Sequence, residues 1–545
     1  MHECLRSDMA DDLRPWREQA LDSSLLKAMS YWSDNPEEWL EAALPRLPET
    51  IRINPLRREK IWVKEQIEKM GAKRIGWCPN AWKMPWVRGK IPPEHRSLFI
   101  ALHETGRITR QEAVSMIPSL LLDLKQDDVV LDMCASPGSK STHIAEILNG
   151  TGVVIANDVS KKRTNTLVAN AQRASLPNLL IVQHDGRYIP RVPGAGYDAI
   201  LVDAPCTGSA TTRKNPDVWT KWLPSGGKTL HSLQIDLLLR AIKVARSGAS
   251  IVYSTCSLDP IENEAVIARI LEQDEDVEIE EISKEQLEGL SYQNGMTEWV
   301  VLDDNMNPIE NSEFNTSVNP KIMKSLNQCI RIHQDDSGHG GFFVAKLRVK
   351  RIDEDTNQLD VRRISSNPNR KGEFPIPCID DDLTTIMEIH SPDIEFASVW
   401  KKGKRILWGS RPMKERVWEM ETQSRIDRIH DGEQWPPLKV LHLGIRAWES
   451  RDKRAYRLSS EGLHSIHLKG LGERVHRIDE DEAFRIMNES SPIENLGNLA
   501  PGGHLLLIEK HNSEWRIPIW VGERISRMWK QQEDVILRKM LEGKS

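Results

Sequence analysis

The chain has 545 residues, 39% of them hydrophobic and 28% charged, the balance of an ordinary soluble protein of about three domains. It holds no apolar run long enough to span a bilayer, and its opening residues, MHECLRSDMADDLRPW, lack the apolar centre of a signal peptide; no membrane partner is expected, and the cytoplasm, or the nucleus in a eukaryote, is the expected location. The seven cysteines are odd in number, widely spaced and free of any C-x-x-C pair, which argues against a disulfide framework or a metal site and leaves free thiols as potential nucleophiles.

In chain order, residues 1–105 open with amphipathic helical patterns over 16–39 and pass into a turn-rich mixed region. From 106 to 347 apolar runs alternate with helical patterns: strands at 129–133, 153–156, 179–182, 199–202 and 250–253, helices near 141–148, 161–174, 230–246 and 261–271. Strands joined by helices of this length require crossovers, so the fold class is α/β, with a parallel sheet covered on both faces. Residues 223–227, Leu-Pro-Ser-Gly-Gly, read as a turn. The polar stretch 348–392 reads as a linker, and 393–545 as a small, mainly β domain closed by a charged helix.

The net charge of −6 does not mark a nucleic-acid binder, but base gathers at 346–351 and 401–416 and acid at 272–288 and 380–382. A basic face can bind phosphate under an acidic total, and each such run can equally be a solvated face.

In an open parallel sheet, ligands bind beyond the carboxyl ends of the strands. There the first run offers Asp132 to Lys140 with a Pro-Gly turn, the second Asp158, the third Asp185, the fourth Asp203 to Gly208, and the fifth Ser254-Thr255-Cys256-Ser257. The glycine turn and following helix start can cradle a carboxylate or phosphate. The spacing does not fit a P-loop, because Ser139 separates Gly138 from Lys140. Asp158 suits ribose hydroxyls and Asp185 an adenine amino group. A lone cysteine is most often a small buried hydrophobe, yet Cys206 and Cys256 both fall in loops at neighbouring strand ends. Arg213 and Lys214, followed by Trp219 and Trp222, suit phosphate contact and base stacking, with core tryptophans as the alternative.

The segments LDMCASPGSK (131–140), DAPCTGS (203–209), RKNPDVWTKW (213–222) and YSTCSLDPIENEAVIA (253–268) resemble the Sun family of RNA (cytosine-5)-methyltransferases, as do RINP (52–55) and ITRQEAVSMIP (108–118) upstream. Within it the chain is most similar to the members that modify tRNA at several sites. CIRIHQDDSGHGGFFVAKL (329–347) is similar to the end of that catalytic domain. LHLGIRAWES (441–450) and AYRLSSEGLHSI (455–466) resemble the PUA-like C-terminal region of the tRNA enzymes.

The resemblance implies an N-terminal RNA-binding region, a Rossmann-like class I methyltransferase domain, and a PUA-like RNA-binding domain at 393–545. It implies S-adenosylmethionine as cofactor and tRNA as partner, and a monomer is expected. The cofactor would be held by Cys134, Ala135, Ser136, Pro137, Gly138, Ser139, Lys140, Asp158, Asp185 and Asp203. Cys256 is then the nucleophile at cytosine C6, and Cys206 assists product release. Asp203 would polarise the base, as a donor to N3 or an acceptor from the amino group, and Lys140 is a candidate for lowering the Cys256 pKa. The covalent route has its own logic, since a thiolate adding at C6 makes C5 nucleophilic. Two rival readings are a DNA cytosine-5-methyltransferase, with Cys206 as nucleophile, and an RNA scaffold without catalysis.

Overall fold

The computed structural model describes residues 16–191, 195–310, 312–314, 319–334, 338–351, 375–378, 380–395, 397–419, 438–452, 455–488 and 499–542. Cys4 and residues 352–374 of the expected linker lie outside them. The described chain opens on helix at 16–21, followed by two short helices, α1 (Ser24–Trp32) and α2 (Pro36–Ala43). A small mixed unit follows: β1 (Pro48–Ile53), α3 (Lys60–Lys69), β2 (Lys73–Arg74), β3 (Ala81–Val87), α4 (Pro93–Glu104) and β4 (Ile108–Arg110), with sheet order β2-β3-β1-β4.

The central sheet is built on β5 (Val129–Asp132), β6 (Val153–Asn157), β7 (Leu179–Val182), β8 (Tyr197–Asp203) and β9 (Ala245–Thr255). These five are parallel and lie in the order β9-β8-β5-β6-β7. Their residues are almost wholly buried, because a strand that is apolar on both faces needs a layer on each side. The covering helices are α5 (Ser139–Ile147), α6 (Lys161–Ala174), α7 (Pro224–Val244) and α8 (Glu264–Gln273). This is a Rossmann-like sheet whose strand order reverses at β5, where a crevice opens between the β5 and β8 ends. Beyond β9 the sheet turns antiparallel through β10 (Val277–Ile279), β11 (Gln293–Asn294), β12 (Ile330–Ile332) and β13 (Phe342–Val349).

Helix α7 corrects the reading of 223–227 as a turn. It starts at Pro224, which suits a first helical position, and runs through Gly226 and Gly227. Gly227 is there for close approach: a Cβ on it would lie 2.4 Å from Asp259 Oδ2.

The C-terminal part holds β14 (Ile376–Pro377), α9 (Asp380–His390), β15 (Ala397–Lys402), β16 (Arg405–Ser410), β17 (Val440–Leu443), β18 (Ile445–Asp452) and β19 (Ala455–Leu458). Next come β20 (Val475–Arg477), α10 (Glu480–Asn488), β21 (Gly502–Lys510), β22 (Ser513–Val521), β23 (Ile525–Arg527) and α11 (Gln531–Leu541). These strands form two sheets, β14-β15-β16-β18-β19 and β20-β21-β22-β23. β14 and α9 fall inside the expected linker, and Ile386 and Ile389 of α9 pack into the first sheet's core. Residues 376–390 are therefore the start of this strand-rich part.

β17 leaves its neighbours and pairs antiparallel with β7, covering the open edge of the central sheet. Trp400, Leu407, Val440 and Leu443 join the apolar core of that sheet. The boundary drawn at 393 thus cuts through a shared core. At the other end, α11 packs against the N-terminal unit, where Ile536 and Leu537 meet Phe99 and Leu102 in one cluster. Arg107 bridges the two, with its guanidinium 2.7 Å from Glu59 and 2.6 Å from Glu533, all three buried. Removing one member of such a group would leave a buried charge uncompensated. Among the described residues no helix is long and apolar enough to cross a membrane.

Candidate active site

The first loop of the crevice turns at Gly138, whose φ of +105° favours glycine. A Cβ there would also stand 2.6 Å from Leu167 Cδ1, so the absent side chain lets the loop settle on α6. Asn157, at the end of β6 and fully buried, ties three strand ends together. Its Nδ2 donates to Met133 O (3.0 Å) and His184 O (3.1 Å), and its Oδ1 accepts from His184 N (2.8 Å). Asp158 is buried and accepts from Ser136 N (3.3 Å) and Ser160 N (2.9 Å), with Arg163 at 3.4 Å. Asp185 is a third exposed and pairs with Arg187 at 2.7 Å; that hydrogen bond holds its carboxyl below the ordinary range. Two buried oxygens in this half, Ser136 Oγ and Asp132 Oδ1, have no hydrogen-bond partner among the described residues. Such orphans ask for an explanation, and a missing ligand is one.

The other half carries the thiols. Cys206, beyond β8, and Cys256, beyond β9, stand with their sulfurs 3.3 Å apart. Lys140 Nζ donates to Asp203 Oδ2 at 2.7 Å and lies 5.4 Å from the Phe342 ring centre; Ser254 Oγ donates to Asp203 Oδ1 at 2.9 Å. Burial works against the Lys140 charge, but Asp203 more than offsets it and raises the pKa. Burial pushes the Cys134 and Cys329 thiols up, and those of Cys78 and Cys378 up to about 12. Among the described cysteines Cys256 alone goes down, first because Cys206 donates a hydrogen bond to it, with Lys140 adding a smaller favourable field against burial and Asp203. Cys206 correspondingly goes well up, because it keeps the proton it shares. The cause of the Cys256 shift is therefore chiefly Cys206 rather than Lys140.

Cys256, Asp203 and Lys140 open onto a cleft of about 310 Å³ between the central sheet and the N-terminal unit. Pro137, Gly138 and Ser139 line it, as do Arg88, Arg110, Arg173 and Lys214. Cys134, Ala135, Ser136, Asp158 and Asp185 sit on the same strand-end loops but do not line this cleft.

The expected RNA contacts separate. Lys214 is exposed, but Trp219 is buried at 2% exposure against Trp39, with ring centres 5.5 Å apart. Its faces are closed to a base, because α1 and α2 fold over this segment and recruit it to a core that also holds Trp222. Arg213 is buried too, and its guanidinium donates to Pro45 O and His339 O, both at 2.8 Å. Arg88, Arg110 and Arg173 were not singled out from sequence. Single arginines 22 or more positions apart carry no local signal, and only the fold brings them to one cleft.

A family model described as 16S rRNA methyltransferase RsmB/F matches residues 119–348. A tRNA (cytosine(49)-C(5))-methyltransferase of Pyrococcus abyssi is 32% identical over 343 residues, which cover 61% of this chain and 97% of that protein. A tRNA (cytosine(34)-C(5))-methyltransferase of Drosophila melanogaster is 30% identical over 511 residues, covering 77% of this chain and 66% of the fly protein. A multisite-specific tRNA:(cytosine-C(5))-methyltransferase of Saccharomyces cerevisiae is 31% identical over 387 residues, covering 63% of this chain and 56% of the yeast protein. The chain thus spans less than two thirds of the fly and yeast proteins and nearly all of the archaeal one. The chain belongs to the RsmB/F, or Sun, family of RNA (cytosine-5)-methyltransferases.

Proposed function

We propose that the protein methylates C5 of cytosine in tRNA, using S-adenosylmethionine and a transient covalent bond between Cys256 and cytosine C6. The observation that carries this reading is the pair of sulfurs 3.3 Å apart at adjacent strand ends, with Cys256 the thiol poised to ionise. The names of the archaeal, fly and yeast relatives support tRNA as the substrate.

The residues present fit the cofactor. Carboxylates stand at the ends of β6, β7 and β8, the helix start after Gly138 offers free N–H groups, and Ser136 Oγ lacks a partner. Asp158, Asp185 and the loop 134–140 would hold it. When bound, it supplies an electrophilic methyl group.

The chain's own residues do the rest. The Cys256 thiolate adds to C6, and the ring electrons collect at C5. Asp203 accepts hydrogen bonds from Lys140 and Ser254, which suits the acceptor role and orients the cytosine amino group. Once Cys256 is a neutral thioether, the negative charge that held the proton on Cys206 is gone. Cys206 then gives that proton to solvent, takes the proton from C5, and the C5–H electrons restore the C5–C6 double bond as Cys256 leaves as a thiolate. Arg88, Arg173 and Lys214 line the cleft and supply phosphate contacts, while Arg110, also in its lining, is paired with the buried Glu49. A base must leave its stack to reach Cys256.

Unmodified tRNA, the purified protein and methyl-labelled S-adenosylmethionine test this directly. Label confined to defined cytosines by bisulfite mapping is the expected result. Label in DNA or ribosomal RNA but not in tRNA would overturn the substrate. No label anywhere would overturn the activity.

A further inference from the structure

A buried carboxylate lies between the two thiol-bearing loops. Glu262 is fully buried between the Cys256 loop and α8. Its Oε1 accepts from Thr207 N (2.9 Å) and Gln234 Nε2 (3.1 Å), and its Oε2 accepts from Thr207 Oγ1 (2.5 Å) and Ser257 Oγ (2.5 Å). Thr207 follows Cys206, and Ser257 follows Cys256. One carboxylate therefore ties together the two loops at the residue next to each sulfur.

We propose that Glu262 is a positioning residue that sets the distance between Cys206 and Cys256, and so decides which thiol ionises. It acts through Thr207 and Ser257 and touches neither sulfur. The inference rests on the reading of Cys256 as nucleophile.

The surroundings are arranged for this role. A carboxylate with four donors suits a rigid brace, because each of its two oxygens is held by two hydrogen bonds in a buried site. Each hydroxyl is also fixed from its other side: Trp222 Nε1 donates to Thr207 Oγ1 (3.1 Å), and Ser257 Oγ lies 2.9 Å from Ser209 Oγ. Asn263 adds a second tie, with Oδ1 on Thr255 Oγ1 (2.6 Å) and Nδ2 on Ser257 O (2.9 Å). Gly227 lets α7 descend onto the site, since a Cβ there would meet Asp259 Oδ2 at 2.4 Å and Glu262 Cγ at 3.3 Å. Burial raises both carboxyls, and burial with the neighbouring Glu262 pushes Asp259 up to about 8.

The two ways Glu262 can act on Cys256 have opposite signs. Its negative charge disfavours the Cys256 thiolate, so neutralising it moves the Cys256 pKa down. Its bracing keeps the Cys206 proton aimed at Cys256, so loosening it moves that pKa up. Glu262→Gln removes the charge, and with its amide oxygen on the two hydroxyls its NH2 end faces Thr207 N and Gln234 Nε2, two donors it cannot accept from. The full-length variant is alkylated with iodoacetamide across a pH series, and the Cys256 peptide is quantified by mass spectrometry. The expected result is a midpoint at higher pH, with turnover down about 100-fold for a misplacement near 1 Å and KM for tRNA little changed. A midpoint that stays or moves to lower pH would overturn the brace, as would a loss of turnover no larger than the loss of folded protein. Thr207→Val should reproduce the Glu262→Gln shift, and Thr207→Ser should restore the wild-type midpoint; equal behaviour of Val and Ser would also overturn it. Turnover by Cys256→Ala would instead defeat the underlying reading and leave the brace measurement to stand on its own.

Discussion

The two halves of the crevice are built differently. Beyond β8 and β9, Cys206, Cys256 and Glu262 sit in a buried lattice of hydrogen bonds that holds two sulfurs 3.3 Å apart. Beyond β6 and β7, Asp185 is a third exposed and its partner Arg187 is partly exposed; Arg163 on Asp158 is more than half exposed. In the proposed mechanism the side that forms and breaks a bond to substrate is fixed in advance, and the side proposed to admit the cofactor keeps contacts that a ligand can replace. Preorganisation belongs where charge and bonds change, and exchangeable contacts belong where molecules come and go.

Breaking the thiol half should have the largest effect. Cys256→Ala should abolish methyl transfer while leaving cofactor affinity near wild type, as measured by label incorporation and by calorimetry. Cys206→Ala should also stop turnover, but with Cys256 still able to attack, so a covalent protein–RNA species should accumulate on denaturing gels. The same substitution removes the first cause of the Cys256 shift, so alkylation of Cys256 should move to higher pH. In the wild type, alkylation should hold steady above the Cys256 pKa, which lies below its ordinary value, and fall as the pH drops through it. Lys140→Met should move the midpoint in the same direction by less, since its field is the smaller contribution.

Removing residues after 392 tests whether the ligand-taking half stands alone. The resemblance to the tRNA enzymes implies that such a deletion weakens tRNA binding far more than cofactor binding. The fold predicts otherwise. β17 pairs with β7, and Lys439 N donates to His184 Nε2 at 2.9 Å, one residue before Asp185. Trp400, Leu407, Val440 and Leu443 would leave the central core. At roughly 1.5–3 kcal/mol for each large side chain, their loss of about 6–12 kcal/mol is comparable with a whole stability margin of about 5–15 kcal/mol. Thermal unfolding of the truncated chain should show loss of the cooperative transition and of cofactor binding together. The smallest effect should come from Asp185→Asn, with cofactor affinity weakened roughly tenfold and the Cys256 alkylation profile unchanged.

What sequence made legible follows the same division. The five parallel strands announced themselves as apolar runs, and the carboxylates, the Pro-Gly turn and both cysteines fell at their ends, because a buried parallel strand has a local signature. Features that depend on distant segments did not show. Trp219 and Arg213 look like nucleic-acid contacts until α1 and α2 fold over them. Gly226 and Gly227 look like a turn, and only the approach of Asp259 explains a glycine inside a helix. β17 has the alternation of an ordinary strand, and nothing within it says that its partner is β7, more than 250 residues earlier. Glu262 stood inside a quoted motif without a role, since its four donors come from three separate parts of the chain.

The central claim is that Cys256, with Cys206 as its helper, attacks the base. Wild-type protein should be incubated with S-adenosylmethionine and a tRNA carrying 5-fluorocytidine, which cannot lose a proton from C5 and so traps the adduct. Digestion and mass spectrometry then identify the modified cysteine. The nucleotide is expected on the peptide containing Cys256, and on that cysteine alone. A nucleotide on Cys206 would contradict it and restore the order of attack of the DNA enzymes.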